Sequence, residues 1–378
     1  MNDWKTVRLG DVATYINGYA FKPSDWGTTG LPIIRIQNLT GNDYETNFFN
    51  GEIHPKYTVK DGDVLISWSA SLGVYEWNKG KALLNQHIFK VVFDKIEVDK
   101  KYFIFTVSHL LNEMAKHTHG STMRHITKPD FDNMPFPLPS IKEQKKISEL
   151  LEKCTSIIAT NKQMLEKYDM LIKSRFIEMF GDPVTNERNW EKVRLDSVAD
   201  IKIGPFGSLL HQEDYITGGH ALVNPSHIID GRICTDEKLT ISDEKYTELT
   251  PYHLQKHDVV MGRRGEMGRC AVVDSDGLLC GTGSLIIRTK GELKSDFIQK
   301  IISFPSYKKT IEDKAVGQTM PNLNVPIVSS FEIIKPPKEV QDNYYAFVQQ
   351  IDKSKFAVQK SLEKAETLYK SLMQEYFG

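Results

Sequence analysis

The chain has 378 residues and carries 48 Lys and Arg against 49 Asp and Glu, a formal net charge of −1. Its length predicts two or three domains at roughly 150 residues each. Its balanced charge excludes the overall basic field that steers many nucleic-acid-binding proteins to their ligand. A hydrophobic fraction of 40% with 26% charged residues is typical of a globular protein and argues against wholesale disorder.

Targeting and redox signals are absent from the sequence. The N-terminal residues contain no apolar core of signal-peptide length, and no stretch approaches the ~20 apolar residues that span a bilayer. The four cysteines are scattered without a C-x-x-C pair, which disfavours a zinc ribbon or a disulfide scaffold. We therefore expect a reduced, soluble protein of the cytoplasm.

An internal repeat organises the chain, because several short segments recur in the same order. The pairs are Trp4–Leu9 with Trp190–Leu195, Gly62–Leu65 with His257–Val260, Gly120–Met123 with Gly317–Met320, and Glu178–Gly181 with Glu375–Gly378. The offset between the first three pairs grows from 186 to 195 to 197 residues, so insertions lie inside the units while their order is kept. The repeat predicts two homologous halves that meet near Asp182-Pro183.

The first part of each half contains short apolar or β-branched runs separated by Gly, Asn and Asp. This pattern is typical of strands joined by turns. The runs are Ile33–Ile36, Asp63–Ser67 and His87–Phe93 in the first half and Val259–Met261, Cys270–Val273 and Ser284–Arg288 in the second. Short helices are predicted over Lys101–Lys116 and Asp296–Lys314.

The last part of each half predicts one long helix. Ser140 and Glu143 have the spacing of a capping box, and apolar residues then recur at alternating steps of four and three, as in a coiled-coil seam. The seam positions of the first helix are Ile147, Leu151, Cys154, Ile158, Asn161, Leu165, Tyr168 and Ile172. Those of the second helix are Tyr344, Val348, Ile351, Lys355, Val358, Leu362, Ala365, Tyr369, Leu372 and Tyr376. Each helix is about 40 residues long, or roughly 60 Å.

A third apolar position at every seventh residue widens the stripe of the first helix, so we expect it to pack on more than one neighbour. These residues are Leu150, Ile157, Met164 and Leu171. The simplest arrangement pairs the two helices antiparallel within one chain, with a globular domain at each end and a pseudo-twofold axis between them. Packing of each helix onto its own domain, or a coiled coil between two chains, stays open.

Catalytic and metal-binding motifs are weak. Asn133–Phe136 superficially resembles the Asn-Pro-Pro-Phe loop of amino-methyltransferases but lacks one proline, and Gly281–Gly283 lacks the third glycine of a dinucleotide fingerprint. His117, His119 and His125 have no nearby Cys or carboxylate to complete a metal site, and we interpret them as exposed or DNA-facing residues. We expect no catalytic residue, no bound metal and no cofactor in this chain.

Polar loops at corresponding points of the two halves favour a binding function. Arginine grips phosphates or the major-groove edge of guanine, and Ser, Asn and Gln suit other base edges. The corresponding segments are 68–73 and 263–269, 85–87 and 281–283, and 122–125 and 319–322. The frame repeats while the polar residues differ, which predicts one scaffold with two different recognition surfaces; ordinary surface loops are the alternative. The candidate DNA-binding residues are Lys22, Arg35, Trp68, Ser69, Gln86, His87, Thr122, Arg124, His125, Lys202, Arg263, Arg264, Arg269, Thr282, Gln318, Thr319 and Asn322.

Six segments of the first half occur in an order that is specific when they are taken together. They are Trp4–Val12, Gly18–Phe21, Gly30–Asn38, Gly62–Ser67, Gly120–Met123 and Pro137–Gln144, the last followed by a long helix ending at Phe180-Gly181-Asp182. Through them the chain resembles, over essentially its full length, the specificity subunit of type I restriction–modification systems. The fold class is then α+β, a pseudo-twofold tandem repeat of two α/β target-recognition domains (1–139 and 182–336) separated by two long antiparallel coiled-coil helices (140–181 and 337–378).

The resemblance also implies a ligand and partners. The ligand is double-stranded DNA with a bipartite target, one half-site for each domain. The partners are two methyltransferase subunits, which use S-adenosylmethionine to methylate adenine, and motor–nuclease subunits that join for cleavage. The low net charge fits such a complex, because partners that clamp the DNA share the phosphate contacts. At the entry of the second helix the chain departs from the first, and only Gln144 and Gln341 agree there.

We therefore interpret the chain as a non-catalytic reader of DNA sequence and an assembly hub. Three alternatives stay open: a self-sufficient methyltransferase or nuclease, a specificity subunit of a modification system without a cleavage subunit, and a coiled-coil adaptor that does not contact DNA. Binding of S-adenosylmethionine by the isolated chain would favour the first. Absence of DNA binding in a complex with a methyltransferase would favour the last.

Overall fold

The computed structural model of the chain describes residues 4–41, 46–117, 126–206, 209–265, 268–315 and 322–378. The chain divides into two compact units, Met1–Leu165 with Phe356–Gly378 (unit 1) and Glu166–Lys355 (unit 2). Each unit therefore contains the strands of one half and a part of both long helices. The four-part division expected from the sequence stays a prediction.

The strands repeat with the two halves. Those of the first half are β1 (Lys5–Arg8), β2 (Thr14–Asn17), β3 (Leu31–Ile34), β4 (Phe48–Phe49), β5 (Thr58–Val59), β6 (Val64–Ser67), β7 (Gly73–Glu76), β8 (Ala82–Leu84), β9 (Ile88–Val92) and β10 (Pro135–Leu138). Those of the second half are β11 (Glu191–Arg194), β12 (Ala199–Ile203), β13 (Tyr215–Ile216), β14 (His220–Val223), β15 (Ile228–Ile229), β16 (Arg232–Ile233), β17 (Thr240–Ile241), β18 (Val259–Gly262), β19 (Cys270–Val272), β20 (Leu279–Cys280), β21 (Ser284–Thr289) and β22 (Glu332–Lys335).

The helices of the two halves correspond only in part. They are α1 (Ile36–Leu39), α2 (Lys100–His117), α3 (Lys128–Asp132), α4 (Ile141–Phe180), α5 (Leu195–Val198), α6 (Asp243–Glu248), α7 (Ser295–Ile302), α8 (Pro305–Lys314), α9 (Val325–Ser329) and α10 (Lys338–Phe377). In each unit the first helix after the central sheet, α2 or α7, packs against the core of that sheet.

Sheet topology confirms the predicted duplication. A four-stranded antiparallel sheet has the order β2-β9-β6-β7 in unit 1 and β12-β21-β18-β19 in unit 2. A second sheet contains one parallel pair in each unit, β3 with β8 and β14 with β20. A two-stranded ribbon, β1 with β10 or β11 with β22, joins the start of each half to the strand before its long helix. Among the described residues, the β15–β16 hairpin occurs only in the second half.

The central strands β6 and β18 are buried along their whole length, because both faces of each strand are covered. Val64 and Ile66 face the cluster that contains α2, whereas Leu65 faces the cluster of the second sheet. Val259 and Val260 are divided in the same way. This double burial explains why these segments read as continuous apolar runs without alternation.

The helical prediction over Asp296–Lys314 is confirmed, and the structure divides the segment into two helices, α7 and α8. Phe304 between them has extended dihedral angles (φ −68°, ψ 135°). Pro305 has no backbone N–H and disfavours helical geometry in the residue before it. The chain therefore stops one helix at Ile302 and starts another at Pro305. The counterpart α2 has no proline and continues to His117.

The two long helices are confirmed, each with 40 residues. In unit 1 the beginning of α4 packs with the end of α10, where the amide of Asn161 donates to the Ser361 hydroxyl at 3.0 Å. In unit 2 the end of α4 packs with the beginning of α10, where the Lys355 ammonium pairs with Asp169. The helices are therefore antiparallel within one chain.

The third apolar position that widens the stripe of α4 is less buried than the seam positions. Ile157, Met164 and Leu171 expose 47, 36 and 45% of their surface, and Leu150 is half-buried. Leu150 packs against the core cluster of unit 1, whereas the other three residues contact water in the described part of the chain.

The shared glutamines of the two helix entries have the same structural role. The side-chain amides of Gln144 and Gln341 are buried and donate to the carbonyls of Pro139 and Pro336, each at 2.9 Å. Ser140 accepts the N–H of Glu143 at 3.3 Å, one of the two bonds of the predicted capping box. Both glutamines fix the angle at which the chain enters its helix.

Candidate nucleic-acid interface

Four segments of unit 1 converge at the end of its central sheet and define the first junction: Gly18, Trp68, Asn85–His87 and Ile126. The N–H of Gly18 donates to Ile88 O at 3.1 Å, and the N–H of Trp68 donates to His87 O at 3.3 Å. Trp68 O in turn accepts the N–H of Ile126 at 3.1 Å. Backbone bonds thus hold together segments that are up to about a hundred residues apart.

The same bonds define a second junction in unit 2, formed by Gly204, Arg263, Gly281–Gly283 and Leu323. Gly204 N–H donates to Ser284 O at 3.0 Å, Arg263 N–H to Gly283 O at 3.0 Å, and Leu323 N–H to Arg263 O at 2.9 Å. Trp68 and Arg263 therefore occupy equivalent positions, and so do His87 and Gly283. The next residue in each loop makes Ser69 equivalent to Arg264, and in the sequence repeat His125 corresponds to Asn322.

Glycine is required where each junction closes. A Cβ atom on Gly18 would lie 1.9 Å from Asn85 O, and one on Gly204 would lie 2.0 Å from Gly281 O. No real contact between these atoms is so short, so only glycine allows the strand end to approach the turn this closely. Gly18 begins one of the segments that carry the family resemblance, but its approach to the turn depends on long-range contacts that no local pattern reveals.

The first junction presents aromatic and amide groups. The Trp68 ring stacks on Phe89 with 5.5 Å between centroids and lies 5.0 Å from the His87 ring. Ser69 is buried, and Gln86 and His87 are half-buried. His87 has a left-handed backbone (φ 72°), an uncommon conformation for a residue with a side chain.

Two polar atoms of the first junction are buried without a hydrogen-bond partner among the described residues. They are Oδ1 of Asn85 and Nδ1 of His87. Burying a polar atom without a hydrogen bond costs free energy. A bound ligand could supply the hydrogen-bond partners that these two atoms lack. Asn85 is a residue that the sequence-based candidates omit, although it adjoins Gln86. Thr122, Arg124 and His125 lie outside the described residues.

The second junction presents cationic groups instead. Arg263 is half-buried with its Nε unpaired among the described residues, and Arg264 is exposed. Burial, and secondly the charge of Arg264, lower the pKa of Arg263 from its ordinary value. Thr282 is exposed, and Oδ1 of Asn322 is a further buried acceptor without a partner in the described segments. Gln318 and Thr319 lie outside the described residues.

Arg269 has a different position in the same loop. It lies opposite Gly262 at the base of the loop, and its guanidinium donates to Pro225 O at 3.2 Å. This bond ties the loop to the segment after β14. The structure therefore gives Arg269 a structural contact in addition to its predicted role.

The remaining predicted residues lie around the junctions. Arg35 follows Ile34, whose carbonyl accepts the N–H of Asn85 at 3.2 Å, and its guanidinium stacks over Trp26 at 4.5 Å. Lys202 lies on β12 two residues before Gly204, with its ammonium 5.0 Å from the centroid of Tyr252. Lys22 is exposed, and its backbone N–H donates to Asp25.

An exposed aromatic residue at the first junction was missed. Tyr19 is 40% exposed and follows Gly18 directly, and its carbonyl accepts the N–H of Gln86 at 2.9 Å. Its ring contacts Phe21 and Tyr57 edge-on at 4.9 and 5.5 Å. The signal that could have found it is the alternation of aromatic residues with lysines near residues 19–22 and 56–57.

One frame thus occurs twice, with different side chains at equivalent positions. The family model for the type I restriction modification DNA specificity domain matches residues 1–167 and again residues 187–366. The chain belongs to this family.

Specificity subunits from distant organisms align with nearly the whole chain. The EcoBI specificity subunit of Escherichia coli is 22% identical over 96% of this chain and 81% of its own length. The MjaVIII specificity subunit of Methanocaldococcus jannaschii is 21% identical over 98% of this chain and 91% of its own length. The specificity subunit is the component of a type I restriction–modification system that recognises DNA, and such subunits are not themselves catalytic.

Solved structures share the fold. The type I S subunit of M. genitalium superposes with a TM-score of 0.57 at 15% identity, covering all of this chain and 97% of that one. A structure from work on assembly and conformational transition of the type I R-M system gives 0.60 at 16% identity, covering 100% and 98%. Among the described helices, none is long and apolar enough to cross a membrane.

Proposed function

We propose that unit 1 and unit 2 of this specificity subunit each read one half of a bipartite DNA site, with the two junctions as the reading surfaces. The observation that carries the proposal is the equivalence of Trp68 with Arg263. The same two backbone bonds hold each of these residues, but one junction is aromatic and the other cationic. A protein that reads two different half-sites needs the same backbone arrangement in both units but different side chains on it.

The side chains suit base recognition. Arginine recognises guanine by two hydrogen bonds in the major groove, whereas Asn and Gln recognise adenine and aromatic rings contact methyl groups or bases. Lys22, Arg35 and Lys202 surround the junctions and suit phosphates, which position a protein on the duplex without reading its sequence. The net charge of −1 leaves much of the non-specific affinity to partner subunits.

The chemistry belongs to partners in this proposal. Two methyltransferase subunits bind the chain and use S-adenosylmethionine to methylate adenine in each half-site, and restriction subunits with motor and nuclease activity join for cleavage. The chain itself binds no cofactor and acts in the cytoplasm as the hub of the complex. Family membership and the paired long helices support this arrangement.

The experiment is methylation mapping of genomic DNA from cells that carry the chain and its methyltransferase. We expect a motif with two specified halves and an unspecified spacer. Trp68→Ala should relax one half and Arg263→Ala the other, because loss of a base contact weakens discrimination by about 1–3 kcal/mol in its own half only.

Two results would contradict the proposal. A continuous motif, or no motif in cells that contain an assembled complex, would mean that the units do not read separate half-sites. If Arg263→Ala and Arg264→Ala each leave affinity and specificity unchanged, the loop after β18 is not a reading surface. Arg194→Ala, which removes an exposed arginine from the β11–β22 ribbon, is the control for the loss of charge.

A further inference from the structure

The second junction contains a pair of side chains with complementary hydrogen-bonding capacity. Arg264 and Asn322 form an isolated antiparallel bridge. Residues directly opposite each other in such a bridge have their side chains on the same face, with Cβ atoms about 5 Å apart. Arg263 and Leu323 lie on the other face, where Leu323 is fully buried. The side chains of Arg264 and Asn322 therefore lie next to each other on the same face of the bridge.

Neither side chain finds all of its hydrogen-bond partners among the described residues. Arg264 is exposed and has no carboxylate partner in the described residues, and Oδ1 of Asn322 is a buried acceptor that lacks a donor there. Gly265, the next residue, has a left-handed backbone (φ 79°), and a Cβ placed on it would meet no atom of the described residues within 4 Å. The described residues therefore leave the side of the pair next to Gly265 uncovered.

The charge around the pair favours a ligand rich in acceptors. Arg263 and Arg264 are adjacent in sequence, and the pKa of Arg263 is lowered by burial and by its neighbour. Although the two residues lie on opposite faces, their positive charges repel each other, and acceptors placed beside Arg264 would offset this repulsion. A base pair that offers acceptors to one group and a donor to the Asn322 carbonyl would satisfy both requirements.

From this geometry we infer that Arg264 and Asn322 read one G·C base pair in the half-site of unit 2. Guanine presents two acceptors, N7 and O6, in the major groove, and its partner cytosine presents one donor, N4–H₂. Arg264 donates to guanine, and Oδ1 of Asn322 accepts from cytosine. The inference rests on the proposed function, because it assigns a base pair to a surface proposed to read DNA.

Unit 1 lacks this pair. Ser69 stands at the position of Arg264 and is buried, so a long cationic side chain is missing at that point of the first junction. The G·C contact should therefore be confined to one half-site. The comparison also suggests the substitution Arg264→Ser, which gives the second junction the residue that the first junction has at the equivalent position.

The test measures binding by the complex of the full chain with its methyltransferase. The probes are the native duplex, a set in which each base pair of the half-site of unit 2 is changed in turn, and a duplex without the site. We expect Arg264→Ala and Arg264→Ser to reduce discrimination at a single G·C pair by roughly 5- to 150-fold. Discrimination at other positions should stay within about twofold.

Conservative variants separate recognition from charge and folding. Arg264→Lys keeps the charge but loses the planar fork, so affinity for the duplex without the site should persist while discrimination at the G·C pair falls. Asn322→Ala should relax the same base pair, whereas Asn322→Asp should retain it because a carboxylate still accepts from cytosine. Arg232→Ala removes an exposed arginine of the same unit and should leave discrimination unchanged.

Each other outcome overturns the inference. An affected A·T pair would mean that Asn322 reads adenine, and equal weakening on all duplexes would mean that Arg264 contacts phosphate. Unchanged discrimination in the Arg264 variants would mean that Arg264 does not take part in base recognition. If the wild-type complex itself does not distinguish any base pair in this half-site, the proposed function fails, and this result is distinct from the others.

Discussion

Alanine at either closing glycine should displace one junction and leave the other intact. In Gly18→Ala the new Cβ would lie 1.9 Å from Asn85 O, and in Gly204→Ala it would lie 2.0 Å from Gly281 O. A contact of about 3 Å is the shortest that such atoms tolerate, so the turn must move by at least about 1 Å. The movement carries Gln86 and His87 with it in unit 1, and Thr282 in unit 2.

The magnitude follows from the bonds at risk. In unit 1 these are Tyr19 N–H to Leu84 O at 2.8 Å and Gln86 N–H to Tyr19 O at 2.9 Å. Each contributes about 1 kcal/mol, and overpacking in a tight site adds about 1–3 kcal/mol. We expect each variant to lose about 3–5 kcal/mol of stability, a loss that most folded domains with about 5–15 kcal/mol can survive.

The assay combines thermal unfolding with methylation mapping and binding to duplexes altered in one half-site. Gly18→Ala should relax the half-site of unit 1 alone, and Gly204→Ala that of unit 2 alone. Gly27→Ala is the matched control, because its Cβ would lie at an ordinary 3.5 Å from Phe48 O. Native stability and native specificity in Gly18→Ala would refute the reasoning, and so would equal loss of both half-sites in a folded protein.

Other expectations concern stability. Gly62 and His257 occupy equivalent left-handed positions (φ 86° and 74°). Gly62→Ala should therefore lower the free energy of unfolding, measured in urea, by about 1 kcal/mol. His257→Gly should leave the free energy of unfolding equal or higher. Asn161→Leu should raise the melting temperature, because a polar seam residue specifies register at the expense of stability. Ser361→Ala should lower the melting temperature, because the Asn161 amide loses its hydrogen-bond partner. Burial raises the pKa of several tyrosines, so the folded state holds their phenolic protons more tightly; stability should be full below about pH 10 and fall as the pH rises above it. These tyrosines are Tyr15, Tyr102, Tyr307, Tyr344 and Tyr345. Absorbance of phenolate that appears gradually without unfolding would contradict this last expectation.

The long helices could be predicted because their signal is local and sustained. Every seam residue from Ile147 to Ile172 and from Tyr344 to Tyr376 is buried or half-buried, as the alternating steps of four and three require. Their antiparallel pairing in one chain was an inference from connectivity, and the contacts of Asn161 and Asp169 bear it out. The break at Pro305 was missed because apolar periodicity continues across it.

The junctions could be predicted only in part. Loops at equivalent places in the repeat were recognised, and backbone bonds bring Trp68 together with His87, and Arg263 with Gly283. The closeness of Gly18 to Asn85, and the unpaired acceptor of Asn322, depend on segments that meet only after folding. Sequence spacing carries no information on such contacts, so these residues could not be distinguished from other polar loop residues.

The most direct test of two independent reading units is a chain in which the first recognition region replaces the second. The structure defines the boundaries, because Leu9 N–H donates to Met134 O at 2.8 Å and Leu195 N–H donates to Phe331 O at 2.7 Å. Residues 9–134 can therefore be placed between the ribbons in the place of residues 195–331. Methylation mapping should then give a bipartite motif in which both halves equal the half-site of unit 1. Retention of the native motif by this folded chain, or a motif with only one specified half, would contradict the account.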